Sequence, residues 1–458
     1  MAQVMMKQKR KKRVEQGHPW IFGNEIEQIT GEAEPGQLVH VYNHHGHFLA
    51  TGYYNPHSQI RVRVISYEPL QEMDAAFFET RIREAKRLRE RFLPDQTSFR
   101  AVYGEADFLP GLVVDKFADV LVVQILSMGM EAHREILLKA FVNVYEPKGI
   151  YERSDVPVRE LEGLEQRTGL LYGTAERWVE IEENGIPMQV DIEQGQKTGY
   201  FFDQRENRAF LQHLVRGWGE RSGIQLQEME IDGDIQSVPV NKNGKVVQFP
   251  YWDGATVLEC FAHTGSFTLH ACQYGAKKVT CLDVSAHAIE TAKQNVQRNG
   301  FEDRVEFVVE DAFEYLRRHA KVVDEKQRRA RLLQQGAEKV DTSKPLTEEG
   351  RTWDVVILDP PAFAKNRKAI ESACRGYKDI NLHGMKLVNE GGYLVTASCS
   401  FHVAPDVFLA TIEAAAVDAG KQLRLIHFDG AGKDHPRIQG VDEGHYLKFA
   451  VFEVRTRK

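Results

Sequence analysis

Hydrophobic and polar positions along this chain fall into three textures. In the first, apolar and polar residues alternate through short runs at 37–42, 47–53 and 59–65, the two-residue period of half-buried strands. The polar Asn43-His44-His45-Gly46 segment between the first two runs reads as a hairpin loop, with Gly46 free to take positive φ. Helical spacing is scarce, so residues 1–70 are expected to form a small β-barrel. In the second texture, 71–185, an arginine-dense helical stretch at 77–92 precedes strand-like runs at 107–115 and 119–126. A helix over 131–144 and a strand at 149–152 follow, which makes an α+β module with a crossover helix. The third, 186–458, alternates strands with helices such as 286–298 and 376–388. Its strands are expected at 256–260, 278–283, 305–310, 353–359, 392–399, 423–428 and 447–454. That alternation predicts an α/β fold with a doubly wound, mostly parallel sheet. No helix separates the last two strands, so the final one is expected to run antiparallel. Two polar inserts, 221–254 and 321–350, read as surface decorations; the first carries the turn signature Asn241-Lys242-Asn243-Gly244.

Composition narrows the class of protein. With 458 residues, 42% hydrophobic and 27% charged, the chain suits two or three globular domains. No apolar run approaches the eighteen or so residues of a membrane span, and the basic start lacks the apolar stretch of a secretory signal. Five cysteines form no CxxC pair, and His44, His45 and His47 lack any carboxylate or cysteine at metal-ligand spacing. These features predict a cytoplasmic protein without disulfides or a metal site. The net charge of −7 confines any nucleic-acid contact to local basic patches.

The run Val257-Leu258-Glu259-Cys260-Phe261-Ala262-His263-Thr264-Gly265-Ser266 is a buried strand, a tight turn with one glycine, and a helix start. In an open α/β sheet this first strand-to-helix turn is where ligands bind, because backbone N–H groups stand exposed there. The next strand ends at Asp283, placed to accept hydrogen bonds from both hydroxyls of a ribose. The third ends at Glu310-Asp311, where a carboxylate can reach an adenine amino group. A dinucleotide site would need the GxGxxG set, and only Gly265 is present. S-adenosylmethionine has no phosphate to cradle, so the methyl donor fits better.

The fourth strand runs into Asp359-Pro360-Pro361-Ala362-Phe363, two prolines that stiffen the backbone at the mouth of the crevice. The turn resembles the acid-Pro-Pro-aromatic turn that in methyltransferases of this architecture holds a planar base beside the methyl group, and that is also common in enzymes methylating exocyclic amines. The fifth strand ends at Ser398-Cys399-Ser400. Carbon 5 of a pyrimidine is too poor a nucleophile to take a methyl group unaided, and a thiolate adding at carbon 6 activates it. Most lone cysteines are small core hydrophobes, but Cys399 sits at a strand end beside the Asp-Pro-Pro turn, where a nucleophile is wanted.

Across most of its length the chain resembles the RlmI-type PUA-domain large-subunit ribosomal RNA (cytosine-5) methyltransferases. The resemblance rests on Gly17-His18-Pro19-Trp20-Ile21-Phe22, Tyr151-Glu152-Arg153-Ser154-Asp155 and Gln196-Lys197-Thr198-Gly199-Tyr200-Phe201-Phe202-Asp203-Gln204-Arg205. It continues with Cys374-Arg375-Gly376-Tyr377-Lys378-Asp379-Ile380-Asn381, Ser398-Cys399-Ser400 and Tyr446-Leu447-Lys448. It implies a PUA-like module at 1–70, a central α+β domain at 71–185 and a Rossmann-like class I methyltransferase domain at 186–458. It also implies S-adenosylmethionine as cofactor, held by Tyr200, Phe201, Asp203, Arg205, Phe261, Thr264, Gly265, Asp283, Asp311, Ala312 and Asp359. In that family pattern Cys399 attacks the base and Asp359 touches it; Pro360, Pro361, Phe363, Tyr377 and Lys378 line the base or RNA path. Ribosomal RNA, naked or in an early subunit, is the implied partner, and a homodimer the implied assembly.

Six basic side chains lie within 7–13, and Arg81, Arg83, Lys86, Arg87, Arg89 and Arg91 form a second cluster on the helix at 77–92. Both can neutralise phosphates, although a solvated helix face explains the second equally well. Two other functions fit the same scaffold: a guanine-nitrogen RNA methyltransferase, and a non-catalytic RNA-binding assembly factor.

Overall fold

The computed structural model describes residues 1–231, 233–334 and 350–457. The chain divides into two compact units, Met1–Asp203 with Gly432–His445, and Gln204–Ala431 with Tyr446–Lys458. The expected boundary at 185/186 falls in the turn of the hairpin Trp178–Glu183/Ile186–Asp191, which lies wholly in the first unit.

The first unit opens with a six-stranded sheet in the order Trp20–Phe22, Ile60–Ser66, Phe48–Tyr54, Leu38–Tyr42, Ala2–Met6, Ile26–Thr30. The three strands expected from alternation are all present. Their hairpin loop closes on Asn43, whose carbonyl accepts from the Gly46 N–H and whose side-chain oxygen accepts from His45 and His47, with Gly46 at φ +79°. The strand Ala2–Met6 was not expected. It buries Ala2, Val4 and Met6 and pairs in parallel with Leu38–Tyr42, a short alternation overshadowed by the basic run that follows it.

A five-stranded sheet follows, ordered Arg167–Gly173, Gly149–Ser154, Val120–Ile125, Leu112–Phe117, Phe99–Tyr103. The helix Ala75–Phe92 starts where the Asp74 carboxylate accepts from the Phe77 N–H, and it buries Phe78, Ile82 and Ala85 in the core beneath this sheet. The strand expected at 107–115 begins only at Leu112. The Asp107 carboxylate instead accepts from the Tyr103 N–H and from Arg89, which fixes a tight turn over Gly104–Asp107. The expected 131–144 helix is split at His133 into Met128–Ala132 and Arg134–Tyr145.

The second unit is built on a seven-stranded sheet: β1 Thr256–Cys260, β2 Lys278–Asp283, β3 Val305–Val309, β4 Trp353–Leu358, β5 Val388–Ser398, β6 Lys421–Asp429 and β7 Lys448–Thr456. Their order is β3-β2-β1-β4-β5-β7-β6, with β7 antiparallel to both neighbours and the first five strands parallel. This is the Rossmann-like architecture expected, and the chain reverses its direction of growth between β1 and β4, where such sheets bind ligands. Helices α1 Ser266–Gln273, α2 Ala286–Arg298, α3 Ala312–Gln334, α4 Ile370–Lys386 and α5 Pro405–Asp418 connect the strands. The insert at 221–254 contains the expected turn, in which the Gly244 N–H donates to the Asn241 carbonyl. It also holds a longer hairpin, Gln225–Ile231 with Asp234–Val240, whose residues are mostly exposed. The insert at 321–350 continues α3 as far as Gln334, and 335–349 lie outside the described residues.

Candidate active site

The loop after β1 is where local backbone conformation is most unusual. Phe261, His263 and Gly265 have φ of +63°, +50° and +77°, three left-handed residues in five, two of them not glycine. Side chains resist that region by about 1–2 kcal/mol per residue, so the surrounding structure must enforce it. Gly265 is required for space as well, because a Cβ there would lie 3.0 Å from the Ala292 Cβ on α2. The turn exposes backbone at the head of α1 without a second or third glycine.

Asp283 ends β2 beside this loop. Its two carboxylate oxygens accept from the His263 and Ser285 N–H groups, each at 2.8 Å, which fixes the side chain while leaving further lone pairs for a ligand. Asp311 is exposed at the head of α3, where it accepts from the Glu314 N–H, and Ala312 is buried beneath it. Glu310, the other acid at this strand end, is instead engaged by the Arg318 guanidinium. Phe261 meets Phe313 edge to face with centroids 6.2 Å apart, and Phe313 lies 5.8 Å from Phe363. Phe313 was missed in the sequence, although it follows Asp311-Ala312 directly. Thr264 is half-buried in the same turn.

Beneath the loop, Glu259 is wholly buried on β1 and accepts from both the N–H and the hydroxyl of Thr268. Burial pushes its pKa up to about 8, with the Thr268 hydrogen bonds opposing and the Asp359 charge adding to the rise.

Asp359 follows β4 and accepts from the Gln204 side-chain amide at 3.0 Å. Gln204 is itself fixed by Asn207, which donates to it at 2.7 Å. Gln204 was also missed, though it lies inside the stretch quoted for the family. Arg205 is buried in the same unit. Tyr200, Phe201 and Asp203 belong to the first unit. There the Tyr200 hydroxyl donates to Glu183 at 3.0 Å, and the Lys197 ammonium lies 4.9 Å from the Phe201 ring.

Cys399 follows the end of β5, half-buried, with its Sγ 3.7 Å from the Pro360 carbonyl oxygen. The thiol therefore meets the Asp-Pro-Pro turn directly. Cys260, Cys272 and Cys281 are buried, and burial pushes their thiols up, away from reactivity. The flanking serines are tied down. Ser398 Oγ donates to the Tyr377 hydroxyl at 2.9 Å, that hydroxyl lies 2.8 Å from Ser400 Oγ, and Ser400 Oγ accepts from the Ala364 N–H.

This geometry corrects one expectation. Tyr377 is fully buried, so it braces the Cys399 loop rather than lining an RNA path. Lys378 is partly exposed and pairs with Asp418, the last residue of α5, at 2.7 Å. Phe363 packs on Tyr377 at 4.6 Å, Pro360 is buried, and Pro361 is exposed. Among the described residues no cluster of His, Cys, Asp or Glu could hold a metal, and no helix is long and apolar enough to cross a membrane.

In the first unit, a cleft of about 640 Å³ is lined by Lys9, Lys11, Arg13 and Arg61 with the Phe22 ring. Arg10 is drawn to Glu15, and Lys9, Lys11 and Lys12 are exposed. The second basic cluster is less available. Arg89 is buried in an ion pair with Asp107, which removes it from the expected RNA-facing set, and Arg83 pairs with Glu79 on the same helix.

A family model for a PUA-like domain matches residues 4–67, and one described as Conserved hypothetical protein 95 matches 247–327. "Ribosomal RNA large subunit methyltransferase I" of Alteromonas mediterranea is 37% identical over 456 residues, 99% of each chain. The protein of that name from Pseudoalteromonas translucida is 36% identical over 455 residues, 98% of this chain and 99% of the relative. The chain belongs to the ribosomal RNA large subunit methyltransferase I family. Its fold matches a solved structure of a protein assigned as a methyltransferase, in complex with SAH. That match has a TM-score of 0.73 and 20% identity, and covers 99% of this chain and 100% of the other. A second solved protein, assigned as a SAM-dependent methyltransferase from Streptococcus mutans, matches with a TM-score of 0.71 at 20% identity over 99% and 100% of the two chains.

Proposed function

We propose that this chain transfers a methyl group from S-adenosylmethionine to carbon 5 of a cytosine in large-subunit ribosomal RNA. The observation that carries this reading is the half-buried Cys399 against the Pro360 carbonyl, at the end of a strand whose neighbour delivers the Asp-Pro-Pro turn. The names of the full-length relatives support the class of RNA.

S-adenosylmethionine supplies an electrophilic methyl group. The residues present suit it: an acid at Asp283 for the ribose hydroxyls, Asp311 for the adenine amine, and the left-handed turn 261–265 for the body of the cofactor. Arg205, in the same unit, belongs to the set that the family resemblance implies. Asp359, with the Gln204 amide on one oxygen, orients the cytosine. The Cys399 thiolate adds to carbon 6, which makes carbon 5 nucleophilic enough to take the methyl group. Loss of the carbon 5 proton to a base then expels the thiolate and restores the ring. Asp359 is the nearest candidate for that base. Phe363 and the two prolines shape the slot for the ring. The basic cleft at Lys9, Lys11, Arg13 and Arg61 takes RNA phosphates, and the assembly is a homodimer.

Mass-spectrometric mapping of ribosomal RNA from cells with and without the protein tests this reading. One 5-methylcytosine is expected to vanish with the protein and to return with the wild-type chain, but not with Cys399→Ala. Loss of a methylated guanine that Cys399→Ala restores would assign nitrogen methylation. No lost methylation, with no affinity for S-adenosylmethionine, would make the chain a binding factor.

A further inference from the structure

Lys448 is the first residue of β7 and is fully buried. The β5–β7 register sets it opposite Ser398, one residue before Cys399. Its ammonium donates to the carbonyl of Ser400, the residue just after Cys399, at 2.7 Å, and to the carbonyl of Tyr446 at 2.7 Å. Two of its three donors are thereby used, and no carboxylate pairs with it among the described residues. A buried cation without a counter-charge is costly, and an apolar side chain would fill the same space without that cost. The sequence offers Tyr446-Leu447-Lys448 only as a resemblance; nothing in its spacing ties the lysine to the cysteine forty-nine positions earlier.

We infer that Lys448 is a positioning residue whose ammonium holds the Cys399 side chain as its thiolate. This rests on the reading of Cys399 as the nucleophile. The chemistry is consistent at both ends of the pair. Burial pushes Lys448 down to about 8, and the charge of Cys399 acts in the opposite direction, favouring the protonated amine. Tyr377 also acts on this thiol; its hydroxyl is raised by burial and stays neutral, so it supplies hydrogen bonds rather than charge. A thiolate that forms beside Lys448 gives the buried ammonium the counter-ion it lacks, and the ammonium gives the thiolate a reason to form near neutral pH. The Ser400 carbonyl keeps the ammonium at this peptide segment, which also carries the thiol.

The pH dependence of Cys399 alkylation by iodoacetamide, read by peptide mass spectrometry on the full-length chain, tests this. A Cys374→Ser background removes the other accessible thiol. The midpoint for Cys399 is expected below the ordinary thiol value of about 8.5. Lys448→Gln, which keeps a donor for the carbonyls but no charge, is expected to raise it by at least about one pH unit, and Lys448→Arg to restore most of the shift. A wild-type midpoint at or above about 8.5 overturns the inference, and needs no variant to fold. So does a folded Lys448→Gln variant with an unchanged midpoint. The measurement uses neither RNA nor cofactor, so it separates from the nucleophile reading. A thiol that is acidic yet never bonds to RNA would sink that reading alone.

Discussion

Cys399 Sγ and the Pro360 carbonyl oxygen lie 3.7 Å apart, which joins the end of β5 to the turn after β4. Around that contact the Tyr377 hydroxyl ties Ser398 to Ser400, so the residues on both sides of the thiol are held by one phenol from α4. Tyr377→Phe removes both hydrogen bonds and leaves the ring packing in place. Stability is expected to fall by about 1–2 kcal/mol, read by denaturant unfolding. Methyl transfer should fall more than affinity for S-adenosylmethionine, which should stay as in the wild type. A variant with wild-type turnover would show that the brace has no bearing on the thiol.

Asp283 offers a second test at the cofactor end. Its carboxylate already satisfies the His263 and Ser285 N–H groups, so it is oriented before any ligand arrives. Asp283→Ala is expected to weaken S-adenosylmethionine binding, measured by calorimetry, by on the order of 10–100-fold, the worth of charge-assisted hydrogen bonds. Unchanged affinity would mean the cofactor lies elsewhere on the sheet.

Which parts of this site are legible in the sequence follows from how local their causes are. β1, β2 and α2 begin and end where the apolar pattern places them, and Asp283 at a strand end is read directly. The left-handed Phe261 and His263 are invisible, because no side chain announces a conformation that its surroundings impose. Gln204 and Lys448 escape for another reason. Each matters through a partner far away in the chain, Asp359 for one and the Ser400 carbonyl for the other. Tyr377 and Arg89 were misjudged in the same way, since aromatic and basic residues on helices look available until tertiary contacts bury them. Strand Ala2–Met6 is short and stands beside a dense basic run that dominates the local pattern.

Glu259 gives a pH signature in stability. Its folded pKa of about 8 stands above the unfolded carboxyl value of about 4.3, so the native state binds more protons between those limits. The stability linked to this group is therefore complete at low pH and is lost as pH rises through about 8. Glu259→Gln still accepts from Thr268 and carries no charge. The variant's advantage over wild type in thermal unfolding is expected to grow from pH 5 to pH 8. A constant or shrinking difference would contradict the buried, protonated carboxyl.

The basic cleft makes a prediction about RNA that is separate from the chemistry. Replacing Lys9, Lys11 and Arg61 together with Gln should weaken binding of ribosomal RNA fragments with little regard to sequence. The slope of log affinity against log salt should become shallower by about 2, at roughly 0.7 per lost phosphate contact on single strands. An unchanged slope would place the phosphate contacts outside the cleft.

The covalent step is tested most directly with RNA carrying 5-fluorocytidine at the mapped position, where fluorine on carbon 5 prevents loss of a proton and so blocks release of the enzyme. With S-adenosylmethionine present, the wild-type chain is expected to form a denaturation-resistant adduct that mass spectrometry locates at Cys399, and Cys399→Ala to form none. An adduct that survives in Cys399→Ala, or none with a wild-type enzyme that still methylates the unmodified RNA, would contradict the account.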